Sequence, residues 1–415
     1  MPAFEYKSGE LHCEDVALSK IAAEVGTPFY VYSRTDIERA YRAFDGALEG
    51  IPHRVCYAVK ACSTLGVLKV LIELGAGADI VSAGELFRWQ KAGGDPKQVV
   101  FSGVGKSTGE MRTAITAGID MFNVESAEEM TVLGEIARAM KATVRIALRV
   151  NPDVDPQTHP YISTGLKQNK FGVAMSEARD LLKSAQASGL HVSGVDFHIG
   201  SQLTKTSPFT DAIARLVALV DELAAADIKL DHVDIGGGLG IDYGKGETIT
   251  TPAEYGVAVR AALAPLTSRG IVVYTEPGRV LVGASGALVT QVMFRKRNEA
   301  KHFTIVDAAM NDLMRPALYQ AFHPMQPVKQ TDRPTIVTDI VGPICETGDF
   351  FARDRELPEL SPGELLWIGA AGAYGAAMAS NYNTRPRAPE ILVHGNAYTV
   401  IRTRETLEQL IANET

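Results

Sequence analysis

Short apolar strands alternate with amphipathic helices from about residue 50 to residue 280 of this 415-residue chain. Strands that alternate with helices are typical of a parallel sheet, because each helix carries the chain back across the sheet. Eight such units over roughly 250 residues are what a (β/α)8 barrel needs. An open doubly wound sheet is the alternative, but it more often has five or six strands. The predicted strands are His53–Lys60, Ala78–Val81, Gln98–Phe101, Met121–Val124, Val144–Val150, Val192–His198, His232–Ile235 and Ile271–Thr275.

The pattern changes after Arg279, where strand-like segments follow one another and helical periodicity is scarce until Arg404–Ile411. This arrangement predicts a mostly antiparallel β domain. The first residues contain a strand-like piece, Phe4–Tyr6, that joins this domain because chain termini often pack together. We therefore predict an α/β plus β fold: a TIM-type (β/α)8 barrel over 27–279 and a β domain over 280–415 with residues 1–26.

Composition and charge narrow the class of protein. Hydrophobic residues make up 46% and charged residues 22%, the balance of a soluble globular protein. A net charge of -8 argues against a nucleic-acid partner. The sequence has no apolar run of transmembrane length, its first ten residues do not have the pattern of a signal peptide, and its four cysteines form no CxxC pair. We expect a cytoplasmic protein without a metal site or a membrane contact.

Lys60 ends the first predicted strand, in the segment Tyr57-Ala58-Val59-Lys60-Ala61. Lysine is almost never buried without a partner. A desolvated lysine amine loses its proton more readily and can then form a Schiff base with a carbonyl. A lysine that reaches water from a strand end is the simpler interpretation, and this segment alone favours it.

Nearly every predicted strand ends in a polar or glycine cluster, and in a barrel the chemistry lies at those ends. Any one polar residue there can be a helix cap, but caps do not explain all eight ends together. The pattern therefore predicts a functional mouth. The residues at the eight ends are Lys60; Ser82; Ser102 and Gly103; Glu125 and Ser126; Arg149 and Asn151; His198, Gly200 and Ser201; Gly236 to Gly238; and Glu276 to Arg279.

The turn Gly236-Gly237-Gly238-Leu239-Gly240 lets backbone amides approach an anion, and it lies where barrels commonly bind phosphate. Its alternative is a plain glycine loop. A lysine amine, a phosphate cradle and a carboxylate together suggest pyridoxal 5'-phosphate. Lys60 would hold the aldehyde, Glu276 would keep the pyridine nitrogen protonated, and His198 would stack on the ring. A core histidine bonded to a backbone carbonyl is the common alternative for His198.

The chain resembles the diaminopimelate decarboxylase family. Its members are fold-type III pyridoxal-phosphate enzymes of the alanine racemase-like barrel class. The resemblance covers nearly the whole chain. It rests on these ordered motifs: Tyr57 to Ala61, Phe101 to Lys106, Arg149 to Pro152, Thr164-Gly165, Lys170 to Gly172, His198 to Gln202, Asp234 to Gly240, Glu276 to Arg279, Arg315 to Tyr319, Cys345 to Asp349 and Gly372 to Tyr374. One departure is Cys62, where the family usually has Asn.

The resemblance implies the residue roles. The expected catalytic residues are Lys60, which forms the Schiff base, Cys345, which delivers a proton, and also His198 and Glu276. Cofactor binding is expected of Lys60, Asp79, His198, Ser201, Gly237, Gly238, Glu276, Pro277, Gly278, Arg279 and Tyr374. Substrate contacts are expected of Arg279, Arg315, Tyr319, Glu346 and Tyr374. The family is typically a homodimer with sites shared across the interface.

Two residues indicate the reaction and its substrate. Glu276 favours a decarboxylase over the racemases of this class, which place an arginine at the ring nitrogen. Arg315 can bind a distal carboxylate and Glu346 can bind a distal ammonium. A site with both a positive and a negative side chain fits meso-2,6-diaminopimelate, which carries both groups at its distal centre. Its decarboxylation gives L-lysine and ends lysine biosynthesis. A decarboxylase of ornithine, lysine or a related basic amino acid stays open as the alternative, and so does an inactive regulator with this fold.

Overall fold

The computed structural model describes residues 3–155, 164–165 and 169–415. Contacts divide the chain into two compact units. Tyr41–Ile241 and Thr248–Val280 form the barrel unit, and Met1–Ala40, Asp242–Glu247 and Leu281–Thr415 form the β unit. The predicted fold class, an eight-stranded barrel with a mostly antiparallel β domain, is confirmed.

Within the described residues, eight parallel strands close the barrel, because the eighth strand pairs with the first through Val273 and His53. The strands are β1 (His53–Ala58), β2 (Gly77–Ile80), β3 (Val99–Phe101), β4 (Met121–Val124), β5 (Arg145–Asn151), β6 (His191–Asp196), β7 (His232–Asp234) and β8 (Val272–Thr275). The helices between them are Leu65–Glu73, Ala83–Lys91, Thr108–Ala117, Ala127–Met140, Ala178–Ala187, Ser207–Ala225 and Pro252–Thr267. A short strand, Val173–Ala174, pairs with β5.

Two serines at the strand ends start helices. The side chain of Ser82 accepts a hydrogen bond from the Glu85 amide, and that of Ser126 accepts one from the Glu129 amide. An N-cap of this kind satisfies a backbone donor that the first helical turn leaves unpaired. The capping interpretation therefore holds for Ser82 and Ser126, and the polar residues of the site lie at other strand ends.

A polar layer closes the amino-terminal end of the barrel. The Asp120 carboxylate, just before β4, accepts from Arg54 Nη1 on β1 at 2.6 Å and from the Tyr274 hydroxyl on β8 at 3.0 Å. It also pairs with Arg145 on β5, whose second amino group lies 3.2 Å from Asp231, just before β7. Side chains from strands that are distant in sequence are thus tied together on the side away from the strands' carboxyl ends.

The β unit contains a nine-stranded sheet and a three-stranded sheet among its described residues. The larger sheet consists of Phe29–Ser33, Gly286–Arg297, His302–Val306, Met325–Pro327, Thr335–Val341, Phe350–Pro358, Leu365–Ile368, Glu390–His394 and Ala397–Arg402. The smaller one consists of Phe4–Lys7, Glu10–Cys13 and Val16–Ala17. Apolar side chains from both sheets and from the helix Leu18–Val25 form one core, which includes Leu11, Ile21, Val31, Val289 and Ile391. Short helices lie at Arg315–Tyr319 and Leu407–Leu410.

The helices Arg34–Ala47 and Arg279–Val282 include residues of both units. The predicted helix Arg404–Ile411 is shorter than expected and spans Leu407–Leu410. Its start is fixed by a capping box, in which Thr406 is the N-cap and Gln409 the third helical residue. None of the described helices has both the length and the apolar character that crossing a membrane requires.

Candidate active site

The Lys60 amine lies at the carboxyl end of β1 and pairs with a buried carboxylate. Lys60 Nζ donates to Asp79 Oδ2 at 2.7 Å, and Asp79, on β2, is fully buried. The strand prediction to Lys60 was two residues too long, because the backbone turns into a 3-10 helix at Val59–Ala61. The Lys60 side chain is 35% exposed, so the amine is neither buried alone nor free in solvent. The contact with Asp79 holds the amine at the barrel mouth, whereas a purely solubilising lysine would extend into water.

Glu276 follows β8 directly and is buried. Its Oε1 accepts from the Ser102 hydroxyl and from Asn123 Nδ2, both at 3.2 Å. Burial raises the pKa of Glu276 well above its usual range, and the neighbouring carboxylates Asp234 and Asp79 raise it further. In the chain alone, Glu276 therefore favours its neutral form until a cation arrives beside it.

Other buried carboxyl groups surround Glu276. One oxygen from each of Asp196, Asp234 and Glu276 lies within 4.8 Å of the other two. Burial raises the pKa of Asp234 to about 7, against a hydrogen bond from the Gly236 amide that lowers it. Burial also raises the pKa of Asp196, although Arg149 opposes this. The group therefore holds protons that isolated carboxylates would have lost.

Arg149 on β5 is the guanidinium of this group. Its Nη1 lies 3.0 Å from Glu125 and its Nε lies 3.8 Å from Asp196. Glu125 also accepts from the backbone amides of Gly103 and Gly172. Among the described residues, the group thus contains more carboxyl groups than cations. The carboxyl groups are Asp79, Glu125, Asp196, Asp234 and Glu276, and the cations are Lys60 and Arg149.

The turn after β7 needs glycine at each position. Gly236 has φ +65° and Gly238 has φ +110°, conformations that favour glycine. A Cβ on Gly237 would lie 2.0 Å from the Glu276 carbonyl oxygen. The turn therefore packs directly on the backbone that carries Glu276.

His198, after β6, is fixed by the same turn. Its Nδ1 accepts the Gly237 N–H at 3.1 Å. Burial lowers the pKa of His198 well below its usual value, and the positive charges of Arg149 and Lys60 lower it further. A neutral imidazole that accepts at Nδ1 carries its proton on Nε2. His198 is therefore a neutral ring with fixed orientation and not a core histidine bonded to a carbonyl.

Arg279 and Ser201 contact each other, since Arg279 Nη2 donates to Ser201 Oγ at 3.0 Å. The Pro277 carbonyl accepts the Ala58 amide at 3.0 Å, which joins the segment after β8 to the end of β1. All the predicted site residues of the barrel unit thus lie near the carboxyl ends of five strands, β1, β2, β6, β7 and β8. They are Lys60, Asp79, His198, Ser201, Gly237, Gly238, Glu276, Pro277, Gly278 and Arg279.

These residues fit a pyridoxal phosphate. The Asp79 Oδ1 and Asp234 Oδ2 atoms are buried without a hydrogen-bond partner in the described structure, which indicates that the group lacks positive charge or donors. A protonated ring nitrogen beside Glu276 would supply both. The glycine turn presents backbone N–H groups where a side chain would block access. The donor set is thus a lysine amine, a buried acid and an amide cradle, the set that this cofactor needs.

The predicted substrate residues belong to the β unit. Arg315 is buried, donates from Nη1 to His323 Nε2 at 2.9 Å, and lies 5.0 Å from the Tyr243 ring centre. Because a guanidinium only donates, the His323 proton is on Nδ1, which donates to the Gly369 carbonyl at 2.8 Å. Arg315 is therefore not a mobile surface arginine. Tyr319 ends the same helix and is half-buried.

Cys345 and Glu346 lie on a loop of the β unit. Cys345 is exposed, and its amide donates to Asn383 Oδ1 at 3.2 Å. A hydrogen bond with Glu346 raises the pKa of the Tyr382 hydroxyl, which places these side chains together. The Asp349 carboxylate accepts the Ile344 amide at 2.7 Å and fixes the base of the loop. The thiol is thus presented on an ordered loop and not packed in a core.

Tyr374 has φ +57°, a left-handed conformation that is uncommon for an aromatic residue. Such strain concentrates at functional positions. Its segment is held tightly, because a Cβ on Gly372 would lie 2.0 Å from the Val282 carbonyl oxygen. Tyr374 therefore occupies a backbone position that the surrounding structure fixes.

Sequence reasoning did not assign site roles to the buried polar residues that surround Glu276. Asp196 ends β6 within an apolar segment, and an aspartate in such a segment is itself a signal. Asp234 does the same for β7. Asn123 is the one polar residue of β4 and gave no comparable signal, because an amide in a strand is compatible with many environments.

A family model described as "Pyridoxal-dependent decarboxylase, pyridoxal binding domain" matches residues 34–283. Together with the barrel and its lysine site, this match defines the chain as a pyridoxal-phosphate-dependent decarboxylase. The diaminopimelate decarboxylase of Pseudomonas aeruginosa is 54% identical over 415 residues, which cover 100% of this chain and 99% of that protein. The chain belongs to the diaminopimelate decarboxylase family.

Solved structures agree with this assignment. The diaminopimelate decarboxylase of M. jannaschii in co-complex with L-lysine has a TM-score of 0.95 and 37% identity, and the match covers 100% of this chain and 99% of that one. The Helicobacter pylori diaminopimelate decarboxylase complexed with L-lysine has a TM-score of 0.91 and 42% identity, with 95% and 98% covered.

Proposed function

We propose that this protein decarboxylates meso-2,6-diaminopimelate to L-lysine and CO2, the last step of lysine biosynthesis, with pyridoxal 5'-phosphate as its cofactor. The observation that carries the chemistry is the Lys60–Asp79 pair at the mouth of a barrel that also holds buried Glu276. The substrate follows from relatives of full length named diaminopimelate decarboxylase, two of which are solved as complexes with L-lysine, the product.

The cofactor, when bound, withdraws the electron pair that the departing carboxylate leaves behind. Lys60 would hold its aldehyde carbon, and Asp79, 2.7 Å from the amine, orients Lys60 for this. The turn at Gly237 and Gly238 and the segment Glu276–Arg279 would bind its phosphate and ring edge, with Ser201 supporting Arg279. Glu276 would face the ring nitrogen as an anion, since a cation there opposes the effect of burial on its pKa.

His198 would cover one face of the ring. Its proton on Nε2 and its bond from Gly237 leave the neutral imidazole unable to turn freely. A neutral ring is the form that stacks on an aromatic cofactor without adding positive charge beside Lys60. His198 therefore orients the cofactor and shields that face from water.

The residues of the β unit act on the substrate. Arg315 binds the distal carboxylate, Glu346 binds the distal ammonium, and Tyr319, Tyr374 and Arg279 complete the contacts. His323 holds Arg315 at 2.9 Å, which fixes the guanidinium before substrate arrives. Cys345, exposed on its loop, returns a proton to the carbon that has lost CO2.

We further propose a cytoplasmic homodimer with active sites shared across the interface. The support is the exposure of Cys345 and its fixed loop, which suit a residue that reaches another chain. The domain limits of 27–279 for the barrel and of 280–415 with 1–26 for the β domain belong to the same proposal.

The test is CO2 release from meso-diaminopimelate, L-lysine and L-ornithine, with and without added pyridoxal phosphate. Release from diaminopimelate alone, dependent on cofactor, is expected. Release mainly from ornithine or lysine would assign the chain to the basic amino-acid decarboxylases instead. Lys60→Ala should abolish release, whereas Lys69→Ala, at an exposed position on the helix Leu65–Glu73, should leave it unchanged.

A further inference from the structure

Asp234, at the end of β7, contacts two separate parts of the site. It is fully buried. Its Oδ1 accepts the Gly236 N–H at 2.8 Å, at the start of the glycine turn. One oxygen of its carboxyl group lies within 4.8 Å of an oxygen of Glu276. One short side chain thus touches both the turn proposed to bind phosphate and the acid proposed to face the ring nitrogen.

The two oxygens of Asp234 have different surroundings. Oδ1 has the Gly236 amide as its donor, whereas the buried Oδ2 has no hydrogen-bond partner among the described residues. In the cofactor-free chain the side chains of Glu276 and Asn123 face this carboxyl group and lower its pKa, but burial raises the pKa more strongly. A buried acceptor without a donor costs free energy, but a protonated oxygen becomes a donor itself. Two buried carboxyl groups this close do not both ionise, so the pair retains a proton.

The charges around the pair do not favour an ionised Asp234. Asp79 is paired with Lys60, and Arg149 is paired with Glu125 and Asp196. Among the described residues, no cation remains to compensate a second carboxylate beside Glu276. Ser102 and Asn123 already donate to Glu276 Oε1, so a proton on Asp234 adds a third donor.

We infer that Asp234 is a positioning residue that acts as a neutral carboxylic acid: Oδ1 anchors the glycine turn, and protonated Oδ2 donates to Glu276. The inference deepens the proposed function and rests on it. Asp234 then couples the phosphate end and the nitrogen end of the cofactor site, so that Glu276 faces the ring nitrogen as an oriented anion. Asp79, by contrast, acts as an anion toward Lys60.

This assignment predicts opposite results for two similar substitutions. Asp234→Asn keeps an acceptor for Gly236 and places an N–H where the Oδ2 proton was. Its dissociation constant for pyridoxal phosphate should stay within about threefold of wild type at about pH 6. Asp79→Asn removes the anion from Lys60, and Asp234→Ala leaves the Gly236 amide and Glu276 without partners. Both should weaken cofactor binding on the order of tenfold or more.

The pH dependence of cofactor binding distinguishes an Asp234 that donates as an acid from an Asp234 that only packs. The pKa of Asp234 is raised to about 7, so wild type loses the donor as pH rises through that value, whereas asparagine keeps it. The ratio of dissociation constants should therefore shift in favour of Asp234→Asn between about pH 6 and about pH 8. The other titratable groups that face the pair are common to both chains: Cys56, Lys60, Asp79, Arg149, Asp196 and Tyr255.

The experiment titrates cofactor-free protein with pyridoxal phosphate and follows absorbance, without substrate. Asp221→Asn, at an exposed ion pair with Arg269, is the matched control and should bind as wild type does. A tenfold loss in Asp234→Asn at about pH 6, its failure to fold, or a pH-independent ratio would overturn the inference. If Asp234→Ala does not fold, the comparison of Asp234→Asn with wild type still tests the inference. Failure of the proposed function appears separately, as wild type that binds cofactor but releases no CO2.

Discussion

Replacing Glu276 by glutamine should slow catalysis while leaving the barrel folded. The glutamine Oε1 can still accept from Ser102 and Asn123, which now donate to the same atom of Glu276 at 3.2 Å. The substitution therefore removes a charge and little else. What is lost is the anion that favours a protonated ring nitrogen.

The size of the effect follows from the value of one buried charge. An opposite charge within about 4–6 Å shifts a pKa by about 1–3 units, so glutamine should lower the protonated fraction of the ring nitrogen by about 10- to 1000-fold. Because each factor of ten corresponds to about 1.4 kcal/mol of barrier, we expect kcat to fall by about 100-fold, or roughly 2.7 kcal/mol. Cofactor should remain bound, since Lys60 and the glycine turn are unchanged.

The same substitution should stabilise the cofactor-free chain, and the sign can be worked out. The folded-state pKa of Glu276 is raised, so the native chain holds this proton in a pH range where the unfolded chain has lost it. Stability then falls as pH rises from the unfolded pKa of about 4.3. Glutamine cannot ionise and avoids this loss. The thermal midpoint of cofactor-free Glu276→Gln should exceed that of wild type at neutral pH, with the difference shrinking toward about pH 4.

The assays are CO2 release under saturating substrate for the loaded enzyme and thermal unfolding for the cofactor-free enzyme at several pH values. Glu254→Gln is the control, because this exposed carboxylate only caps the helix Pro252–Thr267. It should leave kcat unchanged and affect stability only slightly, because glutamine also serves at this position of a capping box. Unchanged kcat in Glu276→Gln, or a cofactor-free form less stable than wild type at neutral pH, would refute the reasoning.

Three further outcomes are expected. Borohydride should fix pyridoxal phosphate onto Lys60, and a peptide map with the label on another lysine would remove that assignment. Arg315→Ala should lower kcat/KM for diaminopimelate by about 2–5 kcal/mol while cofactor absorbance is kept, because a fixed guanidinium partner of the substrate is lost; an unchanged value would place the distal carboxylate elsewhere. Equal mixing of Lys60→Ala and Cys345→Ala chains should recover roughly a quarter of wild-type activity if sites are shared in a twofold dimer. Recovery no greater than the mean of the two variants, with subunit exchange demonstrated, would exclude sharing.

The alternating part of the fold could be predicted from the sequence because each barrel strand is a short apolar run between helices. β4 (Met121–Val124) has the predicted limits. Strand ends that depend on local backbone geometry were harder to predict. At Val59–Ala61, for example, the apolar sequence continues although the backbone has already turned into a 3-10 helix. The strand Phe29–Ser33 was missed because it is buried throughout and short, and its pairing partners begin more than 250 residues later, at Gly286.

The candidate site was likewise predictable from the sequence only in part. Lys60, Glu276 and the glycine turn could be singled out because their residue types are unusual where they occur. Ser102 was noted only as a polar strand end and Asn123 not at all, because their contacts with Glu276 form only when the closed barrel brings the ends of β3, β4 and β8 together. The hold of His323 on Arg315 likewise depends on side-chain geometry that spacing does not reveal.

The polar layer around Asp120 has a consequence for how the barrel can change. Its arginines, its aspartates and Tyr274 join β1, β4, β5, β7 and β8 at one end of the barrel, while Lys60, Glu276 and the glycine turn lie at the opposite end. Closure of the cylinder and its chemistry therefore draw on separate sets of side chains. Substitutions at the Asp120 end can raise or lower thermal stability while the residues at the opposite end keep the reaction unchanged. Thermal stability and catalytic activity can therefore be selected, or engineered, independently.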